Sequence, residues 1–297
     1  MNFEQRNDSS DYQSKVKEII SDPNTILFEL QKKKKDVIFW VSLLVFMIFI
    51  YFTLSSGDFS FILVLSSIAQ MAAFLIISIK VYSSDSCSGL SLNSMICYLI
   101  IMASRLSSTI FYSGYLPSDD AGDWFYQLCE VLSLVLVIVN IYFITTRYRE
   151  TSENENDDSV DFKYLAVPTI IIALLVHTHL NGNILTDVAW SFSMYLEAVA
   201  IFPQLHLFRK KSGQIESFTS HYVSLQGLSR FLTLIFWWYT YEELNEESED
   251  SFSFFHFYTG YFMIGSQLIQ LGLMVDFYYY YFKALFKGEK MSISSEI

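Results

Sequence analysis

Two arginines and one acid stand inside apolar runs of this chain: Arg105 in MICYLIIMASRLSSTIFY, Glu197 in WSFSMYLEAVAIFPQL and Arg230 in HYVSLQGLSRFLTLIFWWY. A guanidinium away from water needs a carboxylate, helix carbonyls or a bound anion. Arg105 is therefore either an anchor for an anion, such as a peptide carboxylate, or half of a structural ion pair. Arg230 is analogous, with Glu197 or Glu130 as its partner. Glu197 follows Trp190 by seven residues, two helical turns, so both share a face. Asp187 precedes Trp190 by three, which lets Asp187, Trp190 and Glu197 line one inward stripe. The alternative for Asp187 is an exposed first-turn acid favoured by the helix dipole. Asp276 precedes the aromatic run DFYYYYF and is either a cavity residue or a polar group at the membrane interface.

Other chemistries lack their residues. The chain holds no nucleophile elbow, no HExxH pair and no glycine-rich phosphate loop. Cys87, Cys97 and Cys129 have neither metal nor disulfide spacing. His177, His179 and His256 are expected in loops facing an acidifying compartment, where solvation is their default state. His221 opens an apolar run, a place for capping or packing. The expectation is a protein that is not an enzyme, with no metal and no cofactor, and with no nucleic-acid partner.

The elements that must position these residues are helices in lipid. The chain is 52% hydrophobic, with 27 Phe and 20 Tyr, and its mean hydropathy is +0.33. Eight apolar segments are read at about 37–54, 59–82, 94–115, 124–144, 164–178, 186–208, 221–241 and 254–282. Residues 1–36 are polar, and ILFELQKKKK within them reads as a short surface helix. Of 19 Lys and Arg, Arg105 and Arg230 fall deep inside the segments, and the other 17, counting Lys80 at the end of the second, all fall on one side of the eight-span arrangement. The opposite loops, SSGD, LPSDDAGD, HTHLNGN and EELNEESEDSFS, contain none. The positive-inside rule then puts both termini in the cytosol. A faint repeat supports a two-part design. CSGLSLNS leads into the helix of Arg105, and SGQIESFTS leads into the helix of Arg230. Four spans separate the copies, so they share an orientation, as in parallel-repeat transporters. The expected fold is all-α, with two parallel three-helix bundles, a linker helix and one extra N-terminal helix.

Several of these residues carry a resemblance. SCSGLS (Cys87, Gly89, Ser91), Arg105, Val167-Pro168, Trp190, Tyr195-Leu196-Glu197, Pro203-Gln204, Thr219-Ser220-His221-Tyr222, Gly227, Arg230, Asp276-Phe277 and KALFKGEK resemble the KDEL receptor family. These receptors return escaped proteins to the lumen of the endoplasmic reticulum. Pro203-Gln204 also matches the hinge dipeptide of the PQ-loop superfamily, which includes the SWEET transporters.

The resemblance implies a seven-helix domain over 59–282, after a segment at 1–36 and an extra helix at 37–54, with a cytosolic tail at 283–297. It implies residence in endoplasmic reticulum and Golgi membranes, and binding of the C-terminal peptides of lumenal proteins. Arg105, Asp187, Trp190, Glu197, Arg230 and Asp276 are then the ligand-binding candidates. Lys283, Lys287 and Lys290 are candidates for the COPI coat, beside membrane lipids as surroundings. The pattern also departs from the family. Leu63 and Thr240 stand where it has ligand arginines, and Gln70 where it has a pH-linked histidine. Ser108 replaces an aspartate, and Ser229 and Thr233 replace tyrosines. The alternative function is a small-solute transporter or binder on the same scaffold.

Overall fold

The computed structural model describes residues 23–119, 122–152, 160–210, 214–245, 258–287 and 291–292. Nine α-helices occur among them: α1 (Pro23–Leu54), α2 (Phe61–Ser84), α3 (Leu92–Thr109), α4 (Gly122–Tyr142), α5 (Lys163–Leu175), α6 (Ile184–Ala200), α7 (Phe202–Lys210), α8 (Ser217–Thr240) and α9 (Thr259–Lys287). A helix lies in each of the eight apolar segments. The sixth segment is split in two, because α6 caps at Ile201 and α7 begins at Phe202 beside Pro203, whose ring cannot continue the ladder. The surface helix expected in ILFELQKKKK is the first part of α1, a 32-residue helix that runs straight on into the first apolar segment. A two-residue strand pair, Gln214–Ile215 with Met291–Ser292, ties the α7–α8 loop to the segment after α9.

Among the described residues, four stretches are long and apolar enough to cross a membrane: Asp36–Leu54, Phe61–Ser84, Gly122–Arg147 and Ile184–Lys210. Helices α3 and α8 fall short on apolarity for a physical reason. Their inward faces bury Ser94, Arg105, Ser108 and Thr109 on α3, and Ser224, Gln226, Ser229, Arg230 and Thr233 on α8. Their outward faces are apolar, with Ile110 just past α3 and Phe231 and Trp238 on α8 all more than half exposed. Lipid covers such faces at no cost, so the protein is a helical membrane protein turned polar side in.

The packing is ordered. Helix α2 packs on α8 and α4, α3 on α6 and α4, α9 on α8 and α6, and α5 on α6. Helices α8 and α9 come close at Gly227, where a Cβ would sit 2.1 Å from the Tyr278 hydroxyl. That hydroxyl donates to the Ser224 carbonyl at 2.9 Å. A small residue there lets α8 and α9 touch backbone to side chain. Helix α1 stands apart, with only 11% of its apolar stretch buried.

Candidate functional site

Arg105 and Arg230 occupy equivalent places on their helices. Each lies thirteen residues after its helix's first residue, Leu92 or Ser217, and three turns and a half of helix carry both to the same depth. There they meet one carboxylate from opposite sides. Arg230 Nη1 donates to Glu197 Oε2 at 2.5 Å, and Arg105 Nη2 forms a short ion pair with the same oxygen. The other Glu197 oxygen accepts from Gln70 Nε2 at 2.5 Å. Gln70 Oε1 in turn accepts from Arg230 Nη2 at 3.3 Å and from Arg105 Nη1 at 3.5 Å. Glu130 on α4 adds a second carboxylate, accepting from Arg105 Nη1 at 3.2 Å. Helices α2, α3, α4, α6 and α8 thus each supply one side chain. All five are at most 3% exposed.

The charges cancel, two guanidiniums against two carboxylates. Neutrality is what makes this burial tolerable, since each unpaired charge would carry a penalty of several kcal/mol. The bonding is nonetheless incomplete. Arg105 Nε, Arg230 Nε and Glu130 Oε2 are buried with no hydrogen-bond partner among the described residues. Next to them is a cavity of about 20 Å³, the room of a single water, bounded by Leu63, Ser66, Tyr126, Trp190, Thr233 and Trp237 as well as the network itself. A peptide enters only if these walls move.

One wall of the cavity is aromatic. Trp190 stacks on Tyr115 with ring centres 4.1 Å apart and 9° between planes, and meets Trp237 edge-on at 5.4 Å. Asp187 holds this stack in place. It accepts a short hydrogen bond from the Tyr115 hydroxyl, and the amides of Asn181 and Asn183 donate to it at 3.1 and 3.2 Å. With 2% exposure, Asp187 is not the exposed first-turn acid that is one reading of its position. It is a buried clasp between two loops and the start of α6.

The candidates therefore separate. The structure brings Arg105, Glu197 and Arg230 into direct contact, with Trp190 on the cavity wall and Asp187 behind it. Asp276 is elsewhere. It is half exposed, pairs with Arg209 of α7 at 3.1 Å and does not line the cavity. Lys283 lies over the Tyr279 ring at 5.8 Å. The Lys287 side chain, Lys290 and His256 lie outside the described residues. His221 packs, as its position suggests, stacked on Phe39 at 4.9 Å.

Gln70 is central to the network, yet single-sequence reasoning marks it only as a departure from a family pattern. Its signal was a lone amide in a helix of Ala, Ile, Leu and Phe. Tyr115 and Trp237 carried no signal in an aromatic-rich chain.

Comparison with known proteins places this architecture. A family model described as ER lumen protein retaining receptor matches residues 86–240. The chain belongs to the ER lumen protein-retaining receptor family. An ER lumen protein-retaining receptor of Entamoeba histolytica is 32% identical over 211 residues, 71% of this chain and 87% of that protein. ER lumen protein-retaining receptor 3 of Xenopus tropicalis is 29% identical over 76% of this chain and 94% of its own length. That of Mus musculus is 29% identical over 77% and 96%. Within the family match fall Arg105, Glu130, Glu197 and Arg230, whereas Gln70 and all of α1 and α9 lie outside it.

Proposed function

We propose that the protein is a cargo-sorting receptor of endoplasmic reticulum and Golgi membranes, which retrieves lumenal proteins by their C-terminal peptides. Family membership with the matched arginine, Arg105, at a polar intramembrane cavity carries this reading. Arg105 is the anchor for the peptide carboxylate, Trp190 packs the ligand, and Arg230 and Glu197 set the charge around it. To bind, a carboxylate competes with Glu130 for Arg105, so entry of ligand is coupled to rearrangement of the network. No acidic chemistry of an enzyme is required of these residues.

The ligand differs from a standard KDEL or HDEL tail. Leu63 and Thr240 offer no cation, and a charged hydrogen bond contributes about 1.5–3 kcal/mol. Leu63 borders the cavity, while Thr240 closes the last turn of α8 by donating to Phe236 O at 3.0 Å. The decisive experiment is binding of purified protein to a panel of C-terminal tetrapeptides at acidic and neutral pH. Saturable binding that depends on the last four residues and is lost in Arg105→Gln supports the receptor. Absence of binding by every peptide sinks it.

The same reading includes eight spans, in two parallel bundles of α2–α4 and of α6 with α8 and α9, linked by α5, with α1 as an addition before the receptor-like domain. The contacts support it. Exchanging α2 with α6, α3 with α8 and α4 with α9 maps the set α2–α8, α2–α4 and α3–α4 onto α6–α3, α6–α9 and α8–α9, all of which are packed pairs. The tail lysines Lys283, Lys287 and Lys290 are assigned to coat recognition on the cytosolic side. Lys287→Ala with Lys290→Ala is expected to shift the protein toward or beyond the Golgi in quantitative imaging, with folding intact.

A further inference from the structure

Away from the network, helices α1, α8 and α9 enclose an apolar groove of about 660 Å³ that opens toward lipid. Helix α9 lines it with Leu271, Val275, Tyr278 and Tyr281, α8 with Phe231, and α1 with Trp40. Val275, at 65% exposure, and Phe231, at 51%, mark its open side. Helices α1 and α9 lie outside residues 86–240 of the family match, and α1 also precedes the receptor-like domain, so one wall of the groove is an addition to that domain.

The groove is polar at one end only. Trp40 Nε1 donates to the Tyr281 hydroxyl at 2.8 Å, His221 Nδ1 lies 2.8 Å from that hydroxyl, and His221 Nε2 lies 3.1 Å from Asp36 Oδ1. From Tyr281 to Leu271 is ten residues, about 15 Å of helix. That is half of the roughly 30 Å hydrocarbon core, the depth of one leaflet. Among the described residues, no lysine or arginine lines the groove. A phosphate headgroup would therefore find no counter-charge, whereas a neutral amphiphile with one hydroxyl needs only the hydrogen-bonding end.

The α9 sequence agrees. Val275, Tyr278 and Lys283 form the spacing V-x2-Y-x4-K, which falls within the short pattern proposed for sterol contact. Such patterns are common. What distinguishes this copy is that its Val and its Tyr both line the groove.

We propose that this groove binds a sterol in a single leaflet, with the hydroxyl at the Tyr281–Trp40 end and the ring system between Val275, Tyr278 and Phe231. The bound sterol seals α1 against the rest of the protein. The test uses the full chain in phosphatidylcholine nanodiscs with a diazirine-bearing cholesterol analogue, and cross-linked peptides mapped by mass spectrometry. Labelling is expected within Leu271–Leu285 and on the peptide containing Trp40, and is suppressed by excess unlabelled cholesterol. Val275→Trp, at an exposed position that tolerates a larger side chain, fills the groove and lowers the labelling about tenfold. Val135→Trp on the outward face of α4 leaves it unchanged, and thermal melts verify that both variants fold. Uniform labelling of all lipid-facing helices, or labelling insensitive to Val275→Trp, overturns the proposal. So does a photoreactive phosphatidylcholine that labels the groove as strongly and resists cholesterol, since an acyl chain is then the occupant.

Discussion

Among the described residues, Glu197 accepts from both arginines and from Gln70, whereas Glu130 accepts from Arg105 alone. The two acids are therefore not equivalent. Glu197→Ala leaves two buried guanidiniums short of a counter-ion and is expected to cost about 3–5 kcal/mol. Glu130→Ala leaves Arg105 with Glu197 and costs less. Glu197→Gln combined with Arg230→Gln restores neutrality and recovers part of the loss. Thermal melts in detergent decide the order, and equal losses for Glu197 and Glu130 would contradict the shared-carboxylate geometry. A second residue-scale expectation concerns Cys87. It is fully buried in the loop before α3, and burial pushes its thiol up to about 11, with the Lys80 ammonium opposing. The thiolate is the reactive form, so Cys87 should resist maleimide at neutral pH until the protein unfolds. Rapid modification of the folded protein would show that this loop opens.

At the scale of elements, the break between α6 and α7 is held by hydrogen bonds to the start of α3. Gln204 Oε1 accepts from the Ser91 amide at 2.9 Å, and its Nε2 donates to the Gly89 carbonyl at 2.7 Å. The Gln204 amide donates to Ser94 Oγ at 3.0 Å, and that hydroxyl donates to the Ala200 carbonyl at 2.8 Å. The proline removes a helical hydrogen bond, and the start of α3 supplies replacements. One joint thereby couples the helix of Arg105 to the helix of Glu197. Gln204→Ala leaves a buried amide unpaired and is expected to cost about 1–3 kcal/mol. Hydrogen exchange should rise at residues 89–95 and 200–205 together. A rise confined to one of the two segments would show that the joint does not couple them.

For the whole molecule, the apolar stretch of α1, Asp36–Leu54, is attached near its two ends. Asp36 and Trp40 meet α8 and α9 at one, and at the other Asp119 accepts from Ser55 Oγ at 3.1 Å and from the Ser56 amide and hydroxyl at 2.8 Å each. Between these points most of α1 faces lipid. Removing residues 1–56 is expected to leave the other helices folded and to place the new N-terminus across the membrane from the old one. Glycosylation tags on the full and shortened chains check this. A modified tag at the original N-terminus would refute eight spans with both ends cytosolic.

What the sequence determined was the solvent and the stakes. Long apolar runs specify helices in lipid, the one-sided cations argue an orientation, and charges inside apolar runs must be paired, whatever the fold. Thirteen-residue spacing from helix start to arginine was legible as a faint repeat. The candidate partners of Arg230, Glu197 and Glu130, were legible as well, but the choice between them was not. Which carboxylate meets which arginine depends on five helices packing at one depth, and no local pattern encodes the contact of Gln70 with Glu197 or of Glu130 with Arg105. Asp187 and Asp276 show the same limit. Both are acids near helix ends in sequence, but one is buried under Tyr115 and the other is half exposed beside Arg209. Tertiary packing decided between them, because burial is a property of neighbours rather than of residue type.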